Sequence, residues 1–334
     1  MPPSTTSVVI DPIYNKVLQQ GELVPLSATE GLDQAARVRY LREETEKPFI
    51  KQKLVPVIEE DRVVVQNGIK LRLTFFRPVG TENEILPVVI YYHGGGWTFG
   101  SKNVYQKPMR DISIRNNVAV VYIDYTLAPE GKFPTINEEC YATLIWILEN
   151  GPSIKIDTGK IAVCGDSAGG HLATAIPLMA KARGLDHDVI KAQIMLYPAT
   201  APSHRAFESA RLFGGGEFGL AISHCDYLNP LYFGHHEEDR DDGIKNNIFA
   251  YPLLATVDEL RNLPPALLLT AEADVLRDEG EAYGHKLINA GVPTNAIRIL
   301  GAIHGYLHMS LEKECQAYKN SMHLISQHLI ESFK

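Results

Sequence analysis

The chain has 334 residues, 45% hydrophobic against 22% charged, and a formal net charge of -8. That composition excludes a disordered or fibrous protein, and the negative charge removes any general attraction to nucleic acid or to an anionic membrane surface. Cys140, Cys164, Cys225 and Cys315 are far apart and form no CxxC pair, so neither a zinc knuckle nor a thioredoxin-like site is signalled.

Residues up to about Pro56 mix apolar and charged segments. GLDQAARVRYLREETEKPF has the spacing of a short amphipathic helix, one of one or two expected before the periodic region. The first twenty residues lack a basic stretch leading into a continuous apolar one, and no later segment has the length of a membrane span. Cytoplasmic residence is therefore the expectation.

From Val63 the pattern turns to strands: RVVVQNG, an Asn67-Gly68 turn, LRLTFFRP, and then the buried run LPVVIYYH. Residues 101–117 can form a helix, VAVVYIDY a strand, INEECYATLIWILEN a helix, KIAVCG a strand, and SAGGHLATAIPLMAKARG a helix that opens directly after it. VIKAQIMLYP, PPALLLTAEAD and AIRIL supply three more strands. GEAYGHKLINAG and a segment from about Met309 supply the last helices. Continuous β-branched runs separated by helices predict an α/β fold with a mostly parallel sheet covered on both faces.

Residues 199–262 break the rhythm, with no well-formed strand before Pro265. A connection of that length predicts an inserted helical segment followed by an acidic loop, HHEEDRDDGIKNN. The expected organisation is therefore 1–56 as the N-terminal helical part of a cap, 57–198 as the first part of the core, 199–262 as the inserted cap segment, and 263–334 as the second part of the core. Phe207, Leu212, Phe213, Phe218, Leu220, Tyr227, Leu228, Tyr232 and Phe233 of the insertion are expected mainly to form the cap's own core, with two or three facing the pocket.

Two motifs carry chemistry. In Gly165-Asp166-Ser167-Ala168-Gly169 a strand turns abruptly into a helix with a serine at the apex. Such a turn strains the serine backbone, exposes the hydroxyl at a positive helix end, and lets the next amide donate to a developing oxyanion. In His93-Gly94-Gly95-Gly96-Trp97, three glycines follow a buried strand, each costing about 0.5–1 kcal/mol of backbone entropy relative to alanine. A plain turn needing positive φ would account for them. So would a loop whose amides approach a ligand at the carboxyl end of the sheet.

Taken together, HGGGW at 93–97 and GDSAGG at 165–170 resemble the hormone-sensitive-lipase-like family of α/β-hydrolases. Tyr125–Glu130 with Phe133-Pro134 resembles that family's YRLAPE…FP segment with Thr126 in place of arginine. Ala271–Glu279 resembles its DPLRDE block with Val275 in place of proline, and His304-Gly305-Tyr306 its HGF. The resemblance implies an α/β-hydrolase fold with a helical cap. It also implies a triad of Ser167, Asp274 and His304 in the chain order of that fold, and an oxyanion hole made by the amides of Gly94, Gly95 and Ala168. The activity so implied is hydrolysis of small or medium acyl esters through an acyl-enzyme, without cofactor or metal, on a small-molecule ester; a homodimer is compatible with it.

Glu272 and Asp278 are acids close enough to Asp274 to compete for its role, while Asp278 and Glu279 have a structural reason at a helix start near Arg277. His93 is expected to order its loop, and Asp166 to hold a local hydrogen bond or ion pair. His171, His187, His204, His224, His235, His236, His285 and His308 are read as surface or packing residues. His235 and His236 beside Glu237, Glu238 and Asp239 lack the spacing of a preorganised metal site.

An amidase, arylformamidase or lactonase would use the same residues. Plant gibberellin receptors resemble the family but lose the catalytic histidine, which is present here as His304. The lysine of an SxxK enzyme is absent, since Gly170 stands at that position.

Overall fold

The structure, a computed structural model, describes residues 8–20, 26–50, 52–234, 242–309 and 314–334. Two N-terminal helices, α1 (Pro12–Gln20) and α2 (Gln34–Glu46), come first, and Asp33 caps α2 by accepting from the Ala36 amide at 2.8 Å. The strands are β1 (Ile58–Gln66), β2 (Ile69–Arg77), β3 (Leu86–Tyr92), β4 (Ala119–Ile123), β5 (Ile156–Asp166), β6 (Ile190–Leu196), β7 (Ala266–Ala273) and β8 (Thr294–Ile303). They form one eight-stranded sheet in the order β1-β2-β4-β3-β5-β6-β7-β8. β2 runs antiparallel to both its neighbours and every other pairing is parallel.

The burial of each strand follows its sequence. β4 is AVVYI with all positions buried, and β3 and β6 are nearly so, as continuous apolar runs in the middle of a covered sheet require. β1 lies at the edge, and its alternation leaves Val63 and Val65 exposed. Asn67 and Gly68, both at positive φ, close the β1–β2 hairpin, the geometry that asparagine and glycine adopt with least strain.

The flanking helices are α3 (Lys102–Asn116), α4 (Thr135–Asn150), α5 (Ala168–Ala182), α6 (Glu208–Phe213), α7 (Ile222–Phe233), α8 (Asp242–Lys245), α9 (Val257–Leu260), α10 (Arg277–Asn289) and α11 (Gln316–Ser332). α3 packs on α11 and α4 on α5. The last helix, expected from about Met309, is described from Gln316 with Cys315 as its cap.

The insertion is helical through α6 and α7; Phe213 is buried against Phe218 within it, whereas Tyr232 and Phe233 pack on Trp97 and Phe133 of the preceding core instead of forming a core of the insertion's own. The acidic stretch 235–241, with His235, His236, Glu237, Glu238 and Asp239, lies outside the described residues. Among the described residues no helix is long and apolar enough to cross a membrane.

Candidate active site

β5 ends at Asp166 and α5 begins at Ala168, leaving Ser167 alone between them at φ 57° and ψ -118°. A non-glycine residue there stores about 1–3 kcal/mol of backbone strain. The turn is held because the Ser167 amide donates to the Leu196 carbonyl at 2.8 Å. Its tightness explains the flanking glycines. A Cβ on Gly165 would lie 2.1 Å from the Gly169 carbonyl oxygen, and one on Gly169 would lie 2.0 Å from that of Tyr92.

The hydroxyl of Ser167 is 2.8 Å from His304 Nε2, and His304 Nδ1 is 2.8 Å from Asp274 Oδ2. A carboxylate only accepts, so Nδ1 carries the imidazole proton and Nε2 presents a lone pair to the serine hydroxyl. Asp274 is buried, and its second oxygen accepts from the Leu276 amide at 2.9 Å, so both oxygens are engaged. The ring of Tyr197 meets His304 edge-on at 5.0 Å and limits its rotation.

The competing acids are occupied elsewhere. Glu272 accepts from the Gly301 amide, and Asp278 from Arg277 and the Ser209 amide. Glu279 does more than complement a helix end: it is fully buried and accepts from the Thr200 and Ala201 amides.

The glycine loop requires one correction. The Gly94 amide does not face the cavity; it donates to Asp166 Oδ1 at 3.0 Å, beside the Tyr91 hydroxyl, which donates to the same oxygen. Only glycine fits at this position, because a Cβ there would meet Asp166 Oδ2 at 2.5 Å and the Asp166 carbonyl oxygen at 2.8 Å. Gly95 and Gly96, both at positive φ, line the cavity with Ala168, and neither loop amide has a protein acceptor among the described residues. Gly95 and Gly96, and not Gly94, are therefore the loop glycines open to the cavity.

His93 stacks on Tyr125 with ring centres 4.1 Å apart and contacts the Gly94 carbonyl, and burial lowers its pKa to about 4. It is a neutral buttress of the loop. Thr126, which replaces the arginine of the related motif, is fixed by Glu139 through both its amide and its hydroxyl. Val275, in the proline position, is buried, and its carbonyl accepts from Ser209.

Ser167 and His304 open onto a cavity of about 210 Å³. Its wall is mostly apolar and includes two stretches outside the sheet: Val17, Leu41 and Phe49 before it, and Leu220, Cys225 and Leu228 in the insertion. Arg42 fastens α2 to the floor by donating to the carbonyls of Thr98 and Ala128 and to Glu130.

Three histidines read as surface or packing residues also reach this wall: His204, His224 and His308. Local sequence holds no signal for them, since their neighbours come from other segments. His308 Nδ1 is 3.9 Å from Asp166 Oδ2, and burial lowers its pKa to about 3. Burial also raises Asp166 to about 7. His171 does prove to be a packing residue, accepting from Trp97 Nε1 and contacting the Phe249 carbonyl.

The chain is similar to known proteins along most of its length. The profile of the α/β-hydrolase fold matches residues 89–308. An esterase of Rhizomucor miehei superposes with a TM-score of 0.89 at 42% identity, covering 97% of this chain and 98% of that one. The arylesterase of Saccharolobus solfataricus is 33% identical over 265 residues, covering 77% of this chain and 82% of its own length. A carboxylesterase of Mycobacterium tuberculosis is 31% identical over 319 residues and 92% of each chain. With a nucleophile elbow, an engaged Ser-His-Asp chain and these likenesses, the protein belongs to the α/β-hydrolase fold family that contains the hormone-sensitive-lipase-like carboxylesterases.

Proposed function

We propose that this protein is a carboxylic ester hydrolase, a serine carboxylesterase that cleaves small or medium acyl esters. The observation that carries the reading is the unbroken hydrogen-bonded chain from Ser167 through His304 to Asp274, opening onto an apolar cavity. Ser167 attacks the ester carbonyl while His304 Nε2 takes its proton. The developing oxyanion is held by the amides of Gly95, Gly96 and Ala168, and Asp274 stabilises the imidazolium. His304 then protonates the departing alcohol, and water reverses the sequence to release the acid. No metal or cofactor takes part in these steps.

A volume of about 210 Å³ with an apolar wall suits a short or medium acyl chain. The described parts of 1–56 and 199–262 serve as the cap that shapes it. All four cysteines are buried thiols, which fits a reducing compartment such as the cytoplasm.

The test is turnover of p-nitrophenyl acyl esters beside amide, formanilide and lactone substrates, with Ser167→Ala as the control. Wild type should favour the short and medium esters, and the variant should fold normally and lose turnover. Activity of the variant within a few fold of wild type would remove Ser167 as nucleophile. Turnover of amides alone would replace the esterase assignment.

A further inference from the structure

Glu279, fully buried at the start of α10, accepts from the amides of Thr200 and Ala201 at 2.6 and 3.2 Å and is 2.6 Å from His204 Nδ1. Because the carboxylate only accepts, Nδ1 carries a proton and the imidazole is locked in orientation. Its far nitrogen, Nε2, lies 3.2 Å from the side-chain amide nitrogen of Asn229 on α7. Both His204 and Asn229 line the same cavity as Ser167. A tie between α10 and the chain after β6 needs only Glu279 and the two amides. The relay instead continues to a carboxamide, in a cavity whose lining here also includes Leu220, His224, Cys225, Leu228 and Leu276.

We infer that Glu279, His204 and Asn229 build a polar subsite that binds a neutral oxygen on the substrate, so that the preferred esters carry a hydroxyl on the acyl or alcohol arm. The inference rests on the esterase reading given above. With one N–H directed to His204, Asn229 retains a second N–H and its carbonyl oxygen, which has no protein partner among the described residues. A hydroxyl can donate to that oxygen and accept from that N–H together. An anionic group fits poorly, since the buried carboxylates of Glu279 and Asp274 already act on this wall and, with desolvation as the larger cause, push the Cys225 thiol up. A few placed polar groups in an apolar pocket fix orientation, and a site that hydrogen-bonds a hydroxyl rejects the analogue without it by about tenfold or more.

The experiment compares matched esters that differ by methyl for hydroxyl: ethyl 3-hydroxybutyrate with ethyl 3-methylbutyrate for the acyl arm, and 2-hydroxyethyl butyrate with propyl butyrate for the alcohol arm. Hydrolysis is followed by pH-stat for wild type, Asn229→Leu and His204→Phe. In at least one pair, wild type should favour the hydroxylated ester by about tenfold in kcat/KM, mainly through KM. In both variants that ratio should fall to about one. Circular dichroism checks folding, and Asn229→Ala replaces the leucine variant should that one not fold. A preference that survives in the variants overturns the inference, as does its absence from both pairs while the methyl esters are hydrolysed. Hydrolysis of none of the four esters would remove the esterase reading, and the subsite with it.

Discussion

Asp274→Asn tests the site without changing its shape. In the wild type, one oxygen of Asp274 faces His304 Nδ1 at 2.8 Å and the other faces the Leu276 amide at 2.9 Å. A carboxamide has one oxygen and one NH₂ for these two places. With the oxygen on the Leu276 amide, the NH₂ points at His304 Nδ1 and forces the imidazole proton onto Nε2, where it faces the serine and cannot accept from it. The reverse orientation restores the working tautomer but sets NH₂ against a buried backbone N–H, at a cost of about 1–3 kcal/mol. The Leu276 amide therefore holds the competent form to about 1 part in 5 to 1 part in 150.

Loss of the negative charge opposite the imidazolium accounts for the rest of a fall in kcat of about 10³–10⁴. Stopped or continuous assays with p-nitrophenyl butyrate should show that fall with KM within about threefold and an unchanged circular dichroism spectrum. A kcat within tenfold of wild type would refute the tautomer argument and the assignment of Asp274 with it.

Gly169→Ala would set a Cβ 2.0 Å from the Tyr92 carbonyl oxygen, a backbone atom that cannot give way, and should lower stability by more than about 3 kcal/mol in urea unfolding. Near-native stability would contradict the crowding described at the elbow. Acidification should also destabilise the fold. Burial holds His93 and His171 at about 4 and His308 at about 3, so between pH 6.5 and 4 the unfolded chain takes up protons that the folded chain refuses. Asp166, raised to about 7, opposes this by binding its proton first in the folded state, adding stability as pH falls from 7 toward 3.8. Three imidazoles outweigh one carboxyl, so the urea midpoint should be lower at pH 5 than at pH 7.5; a higher one would contradict the balance. Asp166→Asn keeps an oxygen for Tyr91 and Gly94 and turns NH₂ toward His308, so its Tm at pH 8 should exceed that of wild type, where the buried group must carry charge. A lower Tm would show that the Asp166 charge stabilises this niche.

The strands could be read because each central one is a continuous apolar run, as in VAVVYIDY, and because Asn67-Gly68 marks its hairpin directly. The elbow could be read because its glycines are required within five consecutive residues. What could not be read depends on atoms brought together from distant segments. HGGG does not reveal which glycine amide faces the cavity, since that is decided by Asp166, 72 positions from Gly94. Glu279 reads as a helix-start acid until the chain after β6 is laid against it. His204 and His308 have no local pattern because their neighbours on the cavity wall come from other elements.

Gly169 presses on the peptide bond joining Tyr92 to His93, the last residue of β3 and the first of the glycine loop; a Cβ there would lie 2.0 Å from the Tyr92 oxygen and 2.7 Å from the His93 carbonyl carbon. The elbow and the loop that supplies the amides are therefore gauged from one common datum. On the proposed reading, a substitution that shifts that peptide bond displaces the Ser167 turn and the glycine loop together.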